Sequence, residues 1–376
     1  MATPHATAVI NLGALAGNVR RLRAHVDGPQ IMAVVKADAY GHGLVPCAKA
    51  AVAGGATWLA TALLSEAIAL RDAGITVPIL AWLNTVDDQF QECIKRGIDL
   101  SINSVESLES ISSAAKQVGK KARVHLKIDT GLSRNGFMPY ELENLMFEIF
   151  KHADTIDVVG VMSHFAYADE PDNPTIASQV EVFCTCVDTL TAAGFTFEVK
   201  HLSNSAATLG LPETYFNLVR PGVAIYGISP GDNVVIPDEL KLEPVMTLKS
   251  TVVLVKDVPA QTGVSYAHQY FTQNATRLAL IPVGYADGLP RSASNKGPVL
   301  AGGKVLTVAG RICMDQFVLD IGDLDIRRGD EVVLFGDPAT GAPAVEAWAQ
   351  AAGTIGYEIV TRLGPRVVRE YINSPF

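Results

Sequence analysis

From about residue 13 to residue 230, short apolar runs rich in β-branched residues alternate with longer amphipathic stretches, the pattern of repeated βα units around a parallel sheet. Eight runs read as strands: IMAVVK from 31, TWLATA from 57, PILAWL from 78, LSINS from 100, ARVHLKID from 122, DVVGVMSH from 157, FEVKHLS from 197 and VRPGVAIYG from 219. The spacing predicts helices over 44–54, 65–73, 104–118, 139–152 and 174–193. Eight βα repeats in about 220 residues fit a closed (β/α)8 barrel of the TIM type, with a doubly wound open sheet as the alternative. The reactive side chains favour the barrel. Lys36, Asp129, Arg134, His164, Asn204 and Arg220 all fall at or just past the C-terminal ends of these runs, the rim that carries active sites in barrels.

Beyond residue 238 the texture changes to short β-rich runs punctuated by Gly and Pro (VMTLKSTVVLVKDV, RLALIPVGYADG, KVLTVAGRICMDQFVLDIG, DEVVLFG) with one helical stretch at 343–352. Pro230, Gly231 and Asp232 mark a connection. The expected division is an α/β barrel over 13–235 and a mainly β domain over 236–376 that also takes an N-terminal strand, 1–12.

Composition narrows the function. With 376 residues, 48% of them hydrophobic and 18% charged, the chain can fill one large core or two ordinary ones, which excludes disorder as its main state. Thirty Lys and Arg against 39 Asp and Glu, a formal charge of −9, disfavour a nucleic-acid surface and leave no polybasic membrane anchor. No apolar run approaches the roughly 18 residues that span a bilayer, and the first residues lack a basic start before an apolar core. A cytoplasmic protein acting on a small molecule is expected. Cys47, Cys93, Cys184, Cys186 and Cys313 are scattered and odd in number, which suits a reducing compartment; Cys184 and Cys186, close together in a helical stretch without a second pair, read as core thiols, and no metal site is expected.

Lys36 is the first chemical candidate. A lysine after an apolar strand ordinarily just reaches solvent. At a barrel mouth, partly desolvated and near other cations, its pKa falls from about 10.4 toward the range where lysines form imines. Gly41 and Gly43 allow a tight turn beside it.

The segment AVVKADAYGHG around Lys36 resembles the signature of the alanine racemase family at the lysine that binds pyridoxal 5′-phosphate (PLP). LKIDTGLSRNGF, GVMSHFAYADE, LSNSAATL, LVRPGVAIYG, VSYAHQY, LIPVGYADGLPR, AGRICMDQFVLD and GTIGYEIVTRLGPR are similar to further family motifs, in family order, over essentially the whole chain. The resemblance implies the following roles. Lys36 would hold PLP as a Schiff base and act as the base toward D-alanine, while Tyr266 would serve L-alanine from the opposite face, because racemisation needs an acid/base group on each side of the cofactor plane. Tyr40, Asn204, Ser205, Gly222, Val223 and Tyr357 would bind the cofactor, chiefly its phosphate. Arg220 would face the pyridine nitrogen; a guanidinium only donates, so it keeps that nitrogen unprotonated and suppresses transamination. His164 would support Arg220.

Arg134, Met314 and Asp315 would bind substrate, and Tyr285 would narrow the entrance. Lys127 matches a lysine carbamylated in many members, with a plain Lys127–Asp129 pair as the alternative. Tyr266 and Met314 would reach the site of a neighbouring subunit, so a homodimer with two composite sites is implied. The expected reaction is L-alanine to D-alanine interconversion, supplying D-alanine for peptidoglycan. A relaxed-specificity racemase, a PLP decarboxylase and a PLP carrier without turnover are the alternatives. Departures from the family pattern are Ala267 where Gly is common, Asn135 for a common Leu, and Gly356 for Ser or Asn. Ala267 is costly if its φ is positive.

Overall fold

The computed structural model describes residues 4–86 and 88–376; residues 1–3 of the expected N-terminal strand lie outside the described residues. The strands are β1 (Ala6–Asn11), β2 (Gln30–Val34), β3 (Trp58–Thr61), β4 (Ile79–Ala81), β5 (Asp99–Ile102), β6 (Ala122–Lys127), β7 (Ile156–Met162), β8 (Val199–His201) and β9 (Leu218–Val219), then β10 (Met246–Thr251), β11 (Leu254–Val258), β12 (Gly263–Val264), β13 (Tyr270–Phe271), β14 (Thr276–Ile281), β15 (Pro298–Ala301), β16 (Lys304–Thr307), β17 (Phe317–Asp320), β18 (Glu331–Phe335) and β19 (Val368–Ile372).

Strands β2 to β8 pair in sequence order, all parallel, and β9 pairs with the free side of β2. The remaining seam, β8 against β9, is closed by the Arg220 N–H donating to Ser203 O at 2.9 Å. The Asn217 side chain also clamps it, accepting from Lys200 N–H at 2.7 Å and donating to Glu198 O at 2.8 Å. The eight strands therefore form a barrel, each followed by helical or 3-10 segments on the outside, rather than an open sheet.

The run VRPGVAIYG is a strand only at its start. Pro221 has no N–H to continue a ladder, and after Gly222 the chain winds into a 3-10 helix, Val223–Tyr226, that forms part of the rim. The helix expected over 139–152 is a 3-10 turn, Pro139–Glu141, followed by an α-helix, Leu142–Lys151. The helices Leu12–Val26, Phe90–Lys95, Ser205–Gly210 and Gly356–Thr361 were not expected. The first opens where the Asn11 side chain accepts the Ala14 N–H at 3.1 Å, closing one of the free donors of its first turn.

In the C-terminal part, one sheet runs β16-β15-β18-β10-β1-β19 and another β11-β14-β17. β1 lies between β10, antiparallel, and β19, parallel, so the first and last described strands are neighbours. VMTLKSTVVLVKDV breaks at 252–253 and feeds both sheets through β10 and β11. The expected helix at 343–352 runs Val345–Ala352 and buries Trp348, whose indole donates to Leu334 O at 2.7 Å. No helix among the described residues is long and apolar enough to cross a membrane.

Candidate active site

β2 delivers Lys36 to the barrel rim, and the chain then does something that its glycines alone do not require. Ala37, Asp38, Ala39 and Tyr40 have φ of 54°, 53°, 52° and 54°, a complete left-handed helical turn made of non-glycine residues. Each such residue costs roughly 1–2 kcal/mol, so the turn persists only because its surroundings hold it. The Ala37 N–H donates to Glu66 Oε1 at 2.6 Å, the Leu44 N–H to Asp38 Oδ1 at 2.7 Å and the Gly43 N–H to Asp38 O at 2.9 Å. The bend expected at Gly41 and Gly43 thus begins earlier and depends on Glu66, 29 residues away in sequence, which the segment ADAYGHG does not reveal.

Lys36 projects into a cavity of about 800 Å³ that includes its open mouth. The cavity brings together Lys36, Tyr40, Lys127, Arg134, His164, Asn204, Ser205, Arg220, Gly222, Val223 and Tyr357 from both ends of the chain. Four cations line it and no Asp or Glu does, among the described residues. Burial above all, then Arg134 and also Arg220, push the Lys36 ammonium below its ordinary pKa, with Glu66 opposing. Its Nζ lies 5.9 Å from the centre of the Trp82 ring.

Lys127 is buried more deeply. Burial first, then Arg220 and Arg134, lower its pKa to about 7. Its pairing with Asp129 is not found: among the described residues Nζ meets only Ile128 O, at 3.5 Å, while Asp129 Oδ1 accepts the N–H groups of Gly131 at 2.9 Å and Ser133 at 3.1 Å, closing the turn that presents Arg134. Asn135 also lines the cavity, and its Oδ1 is buried with no partner among the described residues.

Arg220 is wholly enclosed. Nη2 donates to Ser163 O at 2.8 Å and Leu202 O at 3.0 Å and lies 3.3 Å from His164 Nδ1. No described residue accepts its Nε–H, which leaves a donor for whatever occupies the cavity. His164 is kept neutral, first by burial and then by Arg220.

At the opposite wall Ser205 Oγ accepts the N–H groups of Gly222 at 2.8 Å and Ala224 at 3.3 Å, so its own hydrogen is free to donate. A Cβ at residue 222 would collide with the Tyr40 hydroxyl, which shows how closely backbone and phenol approach there. Tyr40 and Tyr357 face each other with ring centres 6.1 Å apart. Burial raises both phenols well above their ordinary pKa, so each remains a neutral donor. Hydroxyl and amide donors on one wall, with cations around them, suit an anion such as a phosphate ester.

Tyr266, Tyr285, Met314 and Asp315 are not in this cavity. Tyr266 is 68% exposed, Met314 54% and Tyr285 41%, on loops of the C-terminal domain. Tyr266 sits between Ser265 (φ 61°) and Ala267 (φ 58°), so the alanine that departs from the family pattern does occupy a left-handed conformation. The loops of Tyr285 and Met314 are tied together: Tyr285 N–H donates to Cys313 O at 3.1 Å and Ala286 N–H to Met314 O at 2.9 Å.

Comparison with known proteins agrees with this architecture along its whole length. The family description "Alanine racemase, N-terminal domain" matches residues 10–230 and "Alanine racemase, C-terminal domain" residues 245–371. An alanine racemase of Frankia casuarinae is 51% identical over 367 residues, covering 97% of this chain and 96% of that one. The crystal structure of alanine racemase from D-cycloserine-producing Streptomyces lavendulae superposes with a TM-score of 0.97 at 48% identity, covering 99% of this chain and 98% of the other. The Bacillus anthracis alanine racemase with bound L-Ala-P superposes with a TM-score of 0.91 at 32% identity, covering 100% of this chain and 97% of that one. The chain belongs to the alanine racemase family.

Proposed function

We propose that this chain interconverts L- and D-alanine with PLP seated at the barrel mouth and one acid/base group supplied by a second copy. The observation that carries the reading is the cationic cavity around a lysine of lowered pKa, with a donor wall shaped for a phosphate and an arginine donor left free at its deep end. The residues present fit the cofactor. Lys36 would hold it covalently through Nζ. Tyr40, Asn204, Ser205, Tyr357 and the Val223 backbone N–H would hold its phosphate, with the Gly222 N–H acting through the Ser205 hydroxyl to which it already donates at 2.8 Å, and Arg220, steadied by His164, would hold its ring nitrogen. PLP, when bound, supplies the electron sink that makes the α-proton of alanine acidic.

The chain's own groups then move that proton. Lys36 Nζ, freed once the substrate amine takes its place on the cofactor, would accept or return it on one face, where desolvation favours the neutral amine. Tyr266 of a second copy serves the other face, since in its own chain it stands exposed outside the cavity. Arg134 clamps the substrate carboxylate with its planar fork of donors. Met314 adds its backbone N–H with Asp315 beside it, and Tyr285 restricts the mouth, all three from the second copy. A neutral Lys127 amine is the form able to add CO2, forming an N–C bond and releasing one proton, which would leave a carbamate anion beside Arg134 able to orient it. The barrel over 13–235 would contribute the cofactor site and the β domain over 236–376, with strand 1–12, the reach into the partner. The D-alanine formed would serve peptidoglycan in the cytoplasm.

Incubating the protein and PLP with L-alanine, and separately with L-serine and L-lysine, followed by chiral chromatography, tests this reading. Approach to equal amounts of L- and D-alanine, with serine and lysine slow, is expected. A PLP-loaded protein that makes no D-alanine would contradict it, and equal rates on all three would point to a relaxed-specificity racemase.

A further inference from the structure

The lumen of a (β/α)8 barrel is ordinarily filled by layers of branched apolar side chains. Here a polar file runs through it. Arg220 Nη1 lies 3.1 Å from His201 Nδ1, His201 Nε2 lies 2.8 Å from His125 Nδ1, and His125 Nε2 lies 3.4 Å from Asp99 Oδ2. Asp99 accepts in turn from Arg123 Nε at 3.0 Å and Nη2 at 3.2 Å, and Arg123 reaches Glu198 with two bonds of 2.8 Å. Both imidazoles are completely buried and Asp99 is 2% exposed.

The protons in this file have one consistent arrangement. A guanidinium can only donate, so Nδ1 of His201 is bare and its hydrogen sits on Nε2. That hydrogen is given to His125 Nδ1, which places the His125 hydrogen on Nε2, facing a carboxylate that can only accept. Every bond from Arg220 to Asp99 thus donates in the same direction, and two neutral rings connect a buried cation to a buried anion. The backbone makes room for the file. A Cβ at Gly160 on β7 would stand 2.5 Å from His125 Nδ1, and the β6–β7 register slips between Val124 and His125. Apolar side chains would fill the same space without the cost of burying charge.

We propose that Asp99, His125 and His201 are positioning residues that hold the Arg220 guanidinium with its free donor toward the cavity, fixing the hydrogen bond it offers to the cofactor ring nitrogen. The inference rests on the assignment of Arg220 under the proposed function. Fixed by the file on Nη1 and by two carbonyls on Nη2, the guanidinium has no freedom to turn away. Without the file, Nη1 loses its buried acceptor and the plane can rotate, so the ring nitrogen meets a less constant donor.

Two measurements separate this inference from the reading beneath it. Long-range proton–nitrogen NMR of histidine-labelled full-length protein, before and after PLP addition, reads the ring hydrogens directly. Neutral His125 and His201, each with hydrogen on Nε2, are expected; a hydrogen on Nδ1 of either ring, or a charged ring, overturns the relay whether or not the protein racemises alanine. In the PLP-loaded enzyme, His125→Gln should lower kcat about tenfold or more while the alanine KM changes little. It should also raise the transamination side reaction, alanine and PLP giving pyruvate and pyridoxamine phosphate, several-fold per racemisation. Asp99→Asn, which keeps an acceptor for His125, should retain most of the fold and show a smaller shift in that ratio. Wild-type kcat and an unchanged pyruvate ratio in both variants would overturn the positioning role, and loss of all PLP binding in the wild type would overturn the underlying reading alone.

Discussion

Asp287 and Asp315 are bridged by one guanidinium: Arg366 Nε meets the buried Asp287 carboxylate at 3.0 Å while its Nη1 meets Asp315 at 2.7 Å. Asp287 also accepts the Gly284 N–H at 2.8 Å and faces His5 Nε2 at 3.0 Å, so it ties the N-terminal segment to the loops carrying Tyr285 and Met314. Asp287→Ala removes charge-assisted bonds and should cost about 2–3 kcal/mol of stability by urea unfolding. The alanine KM should rise as both loops loosen. A variant as stable as the parent would show that the bridge is dispensable.

Lys127 carries a pH signature. Its folded pKa of about 7 lies below the ordinary value of 10.5, so between those limits the unfolded chain binds the additional proton. This group makes stability rise with pH through that window, and below pH 7 the full cost of burying the cation is felt. Lys127→Met should therefore stabilise the protein most below pH 7, with the advantage shrinking toward pH 10.5. Denaturant midpoints across pH, in CO2-free buffer, check it; a pH-independent difference would contradict it. In buffer with 13C-bicarbonate, a carbamate carbon signal absent from Lys127→Met is expected.

Ala267, at φ 58° and ψ 17°, holds a conformation that glycine adopts without penalty. Ala267→Gly should raise stability by about 0.5–1 kcal/mol after allowing for the added freedom of the unfolded chain. Ala267→Val should lower it. Thermal and urea midpoints decide, and destabilisation by glycine would show that the left-handed geometry is not strained.

Glu66 receives the Ala37 N–H at 2.6 Å and, through Oε2, the N–H groups of Ala62 at 3.1 Å and Leu63 at 3.0 Å. It joins the left-handed turn after Lys36 to the start of the helix that follows β3, Leu64–Asp72. Glu66→Ala should free that turn and slow PLP uptake, lowering kcat about tenfold, while Glu66→Gln, which still accepts, should recover most of the loss. Stopped-flow absorbance on adding PLP measures it. Equal defects in both variants would implicate the charge rather than the hydrogen bonds.

Much of this architecture could be read from the chain because the barrel strands are short apolar runs, several of them reaching a polar residue at the rim, as IMAVVK ends in Lys36. The helix Leu12–Val26 escaped because LGALAGNVRRLRAHV carries two glycines and a mixed face. VRPGVAIYG looked like a strand throughout, yet Pro221 and the demands of Ser205 on the amides of Gly222 and Ala224 turn it into a 3-10 helix. The left-handed turn was hidden because alanine, aspartate and tyrosine carry no local sign of positive φ; its cause, Glu66, is a tertiary contact. The lumen file did leave a trace, in Arg123, His125 and Lys127 at alternate positions of an otherwise apolar strand, which puts them on one face. Nothing in the sequence paired them with Asp99 and His201.

Subunit mixing reveals whether Tyr266 of a second copy completes each site, as proposed. Lys36→Ala and Tyr266→Phe should each be inactive alone. Mixed in equal amounts and allowed to exchange subunits, they form heterodimers in which one of two sites combines an intact Lys36 with an intact Tyr266. Racemase activity should recover to about one quarter of the parent. No recovery despite verified exchange, or full activity of Tyr266→Phe alone, would rule out a composite site.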